Sequence, residues 1–139
     1  VTRETAGALW PSARPPAALG GLEWDLVDVS ELPQLRAELR RHLGPDLADL
    51  RDRLVLALDE MASNALRHGG GAVRAAVCTT DAGWLVEVRD GAPGTPPSPA
   101  LGRDPSEGGL GLYLIAELAT THGWYVTGDG KHVWALLAP

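Results

Sequence analysis

Cysteine is almost missing from this chain: Cys78 is its only one. That excludes an intrachain disulfide and any metal cluster built from cysteines, and it suits a reducing compartment. The expected place for Cys78 is a small apolar slot in the core. Phenylalanine is absent while Trp occurs five times, a bias that suggests a GC-rich coding sequence and carries no mechanism. Positive charge is in deficit, with 12 Lys and Arg against 18 Asp and Glu, a net charge of −6 and a pI near 5.1. A general nucleic-acid surface needs the opposite balance, so no direct nucleic-acid partner is expected. No apolar run approaches the roughly 18 residues needed to span a bilayer, and no signal peptide is visible. A cytoplasmic location without membrane contact is therefore the expectation. There is no internal repeat.

What is present suits one domain. The chain has 139 residues, 45% of them hydrophobic, enough for a single core. Residues 1–21 hold Pro11, Pro15, Pro16, Gly20 and Gly21 without periodicity and read as a flexible arm, a candidate for packing on a partner. The folded domain is expected to cover 22–139. Leu22 to Val29 reads as a short strand anchored by Trp24, Leu26 and Val27. Ser30 is a plausible N-cap, and Pro33 falls in a first helical turn, where its missing N–H costs little. Leu32, Leu35, Leu39 and Leu43 form a seam ending at Gly44-Pro45. Asp46 or Asp49 then opens a long helix that runs to Gly69.

Within that helix Leu54, Leu58, Met61, Ala62 and Ala65 make the apolar stripe. Ala72 to Thr79 and Trp84 to Asp90 alternate as two strands of an antiparallel hairpin. Residues 91–109 carry five prolines and no period, a length that inside a small domain marks a lid or a disordered segment. Leu112 to His122 reads as a helix burying Leu112, Ile115, Leu118 and Ala119, closed by Gly123. Trp124 to Thr127 and His132 to Leu137 flank Gly128-Asp129-Gly130-Lys131 as a last hairpin. Each helix has one apolar stripe. The predicted class is therefore α+β: a two-layer sandwich with a mixed, mostly antiparallel sheet of about five strands and three helices on one face.

Three stretches carry chemistry. Glu60, Asn64 and His68 succeed one another at four-residue spacing on a helix face away from the stripe, each about 40° further round. A carboxylate and a carboxamide one turn apart suit hydrated Mg²⁺, which takes few protein ligands and keeps water and phosphate. An exposed polar pair satisfies the same spacing. Asp90-Gly91-Ala92-Pro93-Gly94 follows a strand directly. An Asp there can accept a hydrogen bond from a ligand amino group while the bare backbone lies against a flat ring; an ordinary Asp-Gly turn has the same sequence. Gly108-Gly109-Leu110-Gly111 opens a helix, where backbone N–H groups and the helix dipole favour an anion. A hinge would use the same glycines.

Together these stretches resemble the ATP-binding domain shared by histidine kinases, type II topoisomerases, heat-shock chaperones and mismatch-repair ATPases, whose fold is of the Bergerat type. The match lies in an E-x-x-x-N box (Glu60, Asn64), a D-x-[GA]-x-G box (Asp90, Ala92, Gly94) and a G-x-G box (Gly109, Gly111). More narrowly, LDEMASNALRHG and the compact ending GDGKHVWALL look like the stand-alone anti-sigma-factor serine/threonine kinases of high-GC Gram-positive bacteria. The resemblance implies ATP and Mg²⁺ as cofactors, Asn64 as a metal ligand and Glu60 as general base toward a protein hydroxyl. It implies that Asp90 receives the adenine amino group, with Ala92 and Gly94 beside the base. Gly109, Leu110, Gly111 and Leu112 would hold the phosphates through backbone N–H groups. The implied partners are a sigma factor and a small antagonist protein, with a homodimer as a further implication. Two other readings stay open: a non-catalytic or weakly nucleotide-binding module of the same fold, and the ATP-binding core of a sensor histidine kinase. The group commonly places a Thr on the last strand beside the adenine-binding Asp. Here that place is expected to fall to His132, whose bulk predicts a rearranged network and weaker nucleotide binding.

Overall fold

The computed structural model describes residues 10–69, 71–91 and 110–139. One sheet of five strands organises them: β1 (Gly20–Leu26), β2 (Val73–Thr80), β3 (Gly83–Asp90), β4 (Thr121–Thr127) and β5 (Gly130–Leu137). Their spatial order is β1-β2-β3-β5-β4, and all four pairings are antiparallel. Three helices, α1 (Leu32–His42), α2 (Ala48–His68) and α3 (Leu110–Leu118), complete the expected α+β sandwich.

Alternation along the strands decides which side chains meet the helices. Leu22, Trp24 and Leu26 of β1 share that face with Val73, Ala75 and Val77 of β2 and with Val86 and Val88 of β3. Val133, Ala135 and Leu137 of β5 complete the sheet side of the core. The helices answer with Leu35 and Leu39, with Leu54, Leu58, Met61 and Ala62, and with Leu112 and Ile115, all almost fully buried. Each such Leu, Ile or Met side chain contributes about 1.5–3 kcal/mol through removal from water.

α2 is the spine. Residues 48–68 contain no Gly or Pro and are rich in Ala, Leu and Arg, which suits a long helix. Asp49 lies in its first turn and Arg67 and His68 in its last, each with the sign that the helix dipole favours. Two ion pairs tie α2 to α1, Arg36 to Asp59 and Arg40 to Asp52 at 3.1 Å. The helix stops where Gly69 turns extended and gives its N–H to the Ala65 carbonyl, and Gly71 takes φ +73°.

Several expectations need correction. The segment from Trp10 to Ala13 is not loose. Trp10 is 2% exposed, and Ser12 pairs with Trp124 in parallel. Trp124 donates to the Pro11 carbonyl, Ala13 donates to the Trp124 carbonyl, and the Trp134 indole donates to the Ala13 carbonyl. The drivers are Trp10, which reaches the core, and a small second cluster of Leu85, Trp134 and Leu136 on the far side of the sheet, against which Ala13 packs. β1 starts at Gly20 and ends at Leu26, so Val27 is no anchor but lies exposed. Ser30 caps nothing. Asp28 accepts from the Ser30 N–H and the Glu31 carboxylate returns to the Asp28 N–H, a capping box on a short 3-10 turn that leads into α1.

α3 ends at Leu118, leaving that side chain 44% exposed while Ala116 is buried instead. Gly123 does not close a helix. It lies within β4, where a Cβ would press on the Pro11 carbonyl and the Trp134 ring. Cys78 faces away from the core, half-buried beside Glu23 and Glu87, and partial burial raises its thiol pKa, with the two carboxylates adding to the effect.

Candidate functional site

Helix α2 lays out the site along its length. Glu60 and Asn64 stand one turn apart, both partly exposed, and Gly69 follows at the helix end. At about 1.5 Å per residue, Glu60 and Gly69 are roughly 13 Å apart along the axis. Each of these two positions meets a different element of the fold.

At the Glu60 position the partner is α3. A Cβ built on Gly111 would overlap the Glu60 carboxylate, so the first turn of α3 sits directly against this acid. Leu110, Gly111 and Leu112 belong to that turn, whose backbone N–H groups have no partner within the helix. The Leu112 side chain is core, 2% exposed, so only its main chain can serve a ligand. Partial burial pushes the Glu60 carboxyl above its ordinary pKa, the neighbouring Asp59 adds to the rise, and Arg67 opposes it.

At the Gly69 position the partner is β3. Asp90, the last residue of β3, points to the helix side of the sheet and is 3% exposed. A Cβ on Gly69 would meet the Asp90 carboxylate at 2.6 Å, and Gly71 lies 3.7 Å from Gly91 by the same measure. β5 begins at the same spot. Gly130 has φ +135°, and a Cβ there would run into the Asp90 carbonyl. Three glycines therefore gather at the end of β3: Gly69 against the Asp90 carboxylate, Gly130 against the Asp90 carbonyl, and Gly71, with its positive φ, beside Gly91.

The residue that pairs with Asp90 is not the expected one. His132 projects from the opposite face of the sheet. Its Nδ1 lies 2.8 Å from Glu87, its Nε2 lies 2.8 Å from the Thr127 hydroxyl, and its ring stacks on Tyr125. The place beside Asp90 belongs to Lys131, its cross-strand neighbour, with Nζ 3.7 Å from Oδ2. The alternation fixes this: Val133, Ala135 and Leu137 face the helices, so Lys131 does too and His132 cannot. The signal was present in the sequence, in the parity of the last strand.

Of the other expected site residues, Ala92, Gly94 and Gly109 lie outside the described residues, as does the lid itself. His68 is exposed at the end of α2. Among the described residues no group of three or more His, Cys, Asp and Glu is placed to hold a metal. The Glu60 and Asn64 oxygens, one turn apart beside a helix N-terminus, are the donor chemistry that Mg²⁺ accepts when water and phosphate supply the remaining ligands. No helix among the described residues is long and apolar enough to cross a membrane.

The arrangement is an anion-favouring helix start and two oxygen donors at one place, and a buried acceptor at another, about a nucleotide's length away. The signal transduction histidine-protein kinase AfsQ2 of Streptomyces coelicolor is 36% identical in an alignment that covers 63% of this chain and 19% of that protein. The chain thus spans about a fifth of the relative's length. Residues 27–137 match the histidine kinase-like ATPase domain, from just after β1 to the last residue of β5, and the chain belongs to that family.

Proposed function

We propose that the chain binds Mg-ATP along α2 and transfers the γ-phosphate to a hydroxyl of a protein substrate. In this reading it is a regulatory serine/threonine kinase that acts on a small antagonist protein and holds a sigma factor. The observation that carries the proposal is the pair of close approaches at the two positions on α2: Glu60 on Gly111, and Asp90 on Gly69. They support the reading because a base acceptor and a phosphate-favouring helix start would then share one element, α2.

In this reading Asp90 accepts from the adenine amino group, and the family resemblance assigns contact with the base to Ala92 and Gly94. Backbone N–H groups from Gly109 to Leu112 hold the phosphates, aided by the dipole of α3. Asn64, with Glu60 a turn away, would hold Mg²⁺, which would supply charge neutralisation at the phosphates. The acceptor hydroxyl oxygen forms a bond to the γ-phosphorus while the bond to the β–γ bridging oxygen breaks, and ADP leaves. Glu60 takes the hydroxyl proton. Its raised pKa makes it a better base than an ordinary glutamate.

Nucleotide binding with and without Mg²⁺ tests the reading. Asn64→Ala should abolish the metal dependence, and Asp90→Asn should weaken nucleotide binding at unchanged metal dependence. Phosphate transfer to candidate antagonists tests the activity. Tight ATP binding without transfer would leave a nucleotide-responsive interaction module in its place. The similarity to AfsQ2 supports a second reading, the ATP-binding core of a sensor histidine kinase. The chemistry of the product separates the two: phosphohistidine is acid-labile and alkali-stable, and phosphoserine is the reverse.

A further inference from the structure

Lys131 has no task in the reading above, yet it is placed where the base would be read. It is the cross-strand partner of Asp90, on the helix side of the sheet. The two side chains are 8% and 4% exposed, with Nζ 3.7 Å from Oδ2. The other helix-facing residues of β5 are Val133, Ala135 and Leu137, all apolar. A buried ammonium is costly to desolvate, so this one stands out against its own strand.

We propose that Lys131 is a specificity-determining residue of the nucleotide site, and that beside Asp90 it lets the site accept guanine as well as adenine nucleotides. The inference rests on the reading that Asp90 meets the edge of the base.

The argument is one of donors and acceptors. An ionised carboxylate only accepts, whereas an ammonium carries three N–H donors and accepts nothing. Adenine presents an amino donor next to a ring-nitrogen acceptor. Guanine presents a carbonyl acceptor next to an N–H donor. A carboxylate alone takes the adenine amino group, and in that same pose it repels the guanine carbonyl. With an ammonium alongside, the site holds one acceptor and one donor, and it complements either edge. Adenine places its amino group on Asp90 and its ring nitrogen on Lys131. Guanine places its carbonyl on Lys131 and its N–H on Asp90. The positive charge also offsets the repulsion that Asp90 exerts on the guanine carbonyl. Sites that exploit one such polar match discriminate strongly against a ligand that lacks it, so supplying the match removes much of the discrimination.

The test is calorimetry with Mg-ATP and Mg-GTP on the unaltered chain and on Lys131→Thr and Lys131→Arg. The unaltered chain is expected to bind both within about tenfold. Lys131→Thr should lose GTP binding by about tenfold or more relative to ATP, while Lys131→Arg, which keeps a cationic donor, should hold the ratio near its original value. Thermal melts of the variants control for folding. Preference for ATP by more than about tenfold in the unaltered chain, or a ratio indifferent to Lys131→Thr, overturns the proposal while leaving Asp90 as the reader of adenine. Failure of the unaltered chain to bind either nucleotide overturns the underlying reading of Asp90, and this proposal with it.

Discussion

Gly111 and Glu60 stand so close that the position of a Gly111 side chain is already taken by the Glu60 carboxylate. With Glu60 in this position, the approach of α2 and α3 uses the space that a Gly111 side chain would fill. The contact puts the acid within the first turn of the helix that would hold phosphate.

Gly111→Ala should therefore displace Glu60. Intrinsic propensity favours Ala over Gly in a helix by about 1 kcal/mol, and turning the partly exposed Glu60 carboxylate away is expected to offset much of that gain. Combining it with Glu60→Ala removes the obstacle. Denaturant unfolding of the two single variants and the double should give non-additive changes, with a coupling on the order of 1 kcal/mol or more. Additivity would mean that the two residues do not meet.

Glu60→Gln should raise the melting temperature at neutral pH and abolish phosphate transfer. Burial and Asp59 raise the native pKa of Glu60 above its ordinary value of 4.5. For such a group the stability is fully present below the unfolded pKa and is lost as pH rises through the native one. Glutamine does not ionise, so the advantage of the variant should appear above about pH 4.5 and vanish below it. Melting curves across pH would check it.

His122 works in the other direction. It meets Trp10 edge-on at 4.9 Å, and partial burial lowers its pKa. The unfolded chain then binds a proton that the native one resists. Stability is complete above the ordinary imidazole pKa near 6.5 and is expected to fall as pH drops through and below it. His122→Phe should flatten this part of the profile when melting is followed from pH 8 to pH 5.

Trp134→Phe keeps most of the ring and removes the indole bond to the Ala13 carbonyl, 2.8 Å long. The expected cost is about 1 kcal/mol. Hydrogen exchange should quicken at the Ala13 and Trp124 amides, which pair across the same junction. Unchanged protection there would show that the segment is held from elsewhere. Leu58→Ala, at a fully buried position of α2, should cost about 2–5 kcal/mol in the same unfolding measurement.

Much of this was legible in the sequence because it depends on local periodicity. The stripe of α2 and the alternation of β2 and β3 place Leu58 and Val86 in the core without knowledge of any contact. Glu60 and Asn64 follow from α2 being a helix at all. What is not legible there depends on partners distant in the chain. Gly123 reads as a helix stop from its neighbours alone, but its role is to admit Pro11. Trp10 reads as part of a proline-rich arm, and only the assembled sheet offers it the core. Cys78 reads as core by residue type, while the parity of β2 sends it to the other side. Lys131 is the instructive case. The motif alone points to His132 beside Asp90, whereas the alternation of faces along β5 selects Lys131.

The parallel bridge between Ser12 and Trp124 bears on how copies of this protein, or other extended chains, could add to the sheet. β4 and β1 are the outermost strands, and an outermost strand offers its unused main-chain groups to any passing peptide. Along β4 the Trp124 amide and carbonyl are already taken by Pro11 and Ala13. An incoming strand would have to evict that tether first, so augmentation is steered toward the opposite margin, where β1 carries the acidic side chains of Glu23 and Asp25.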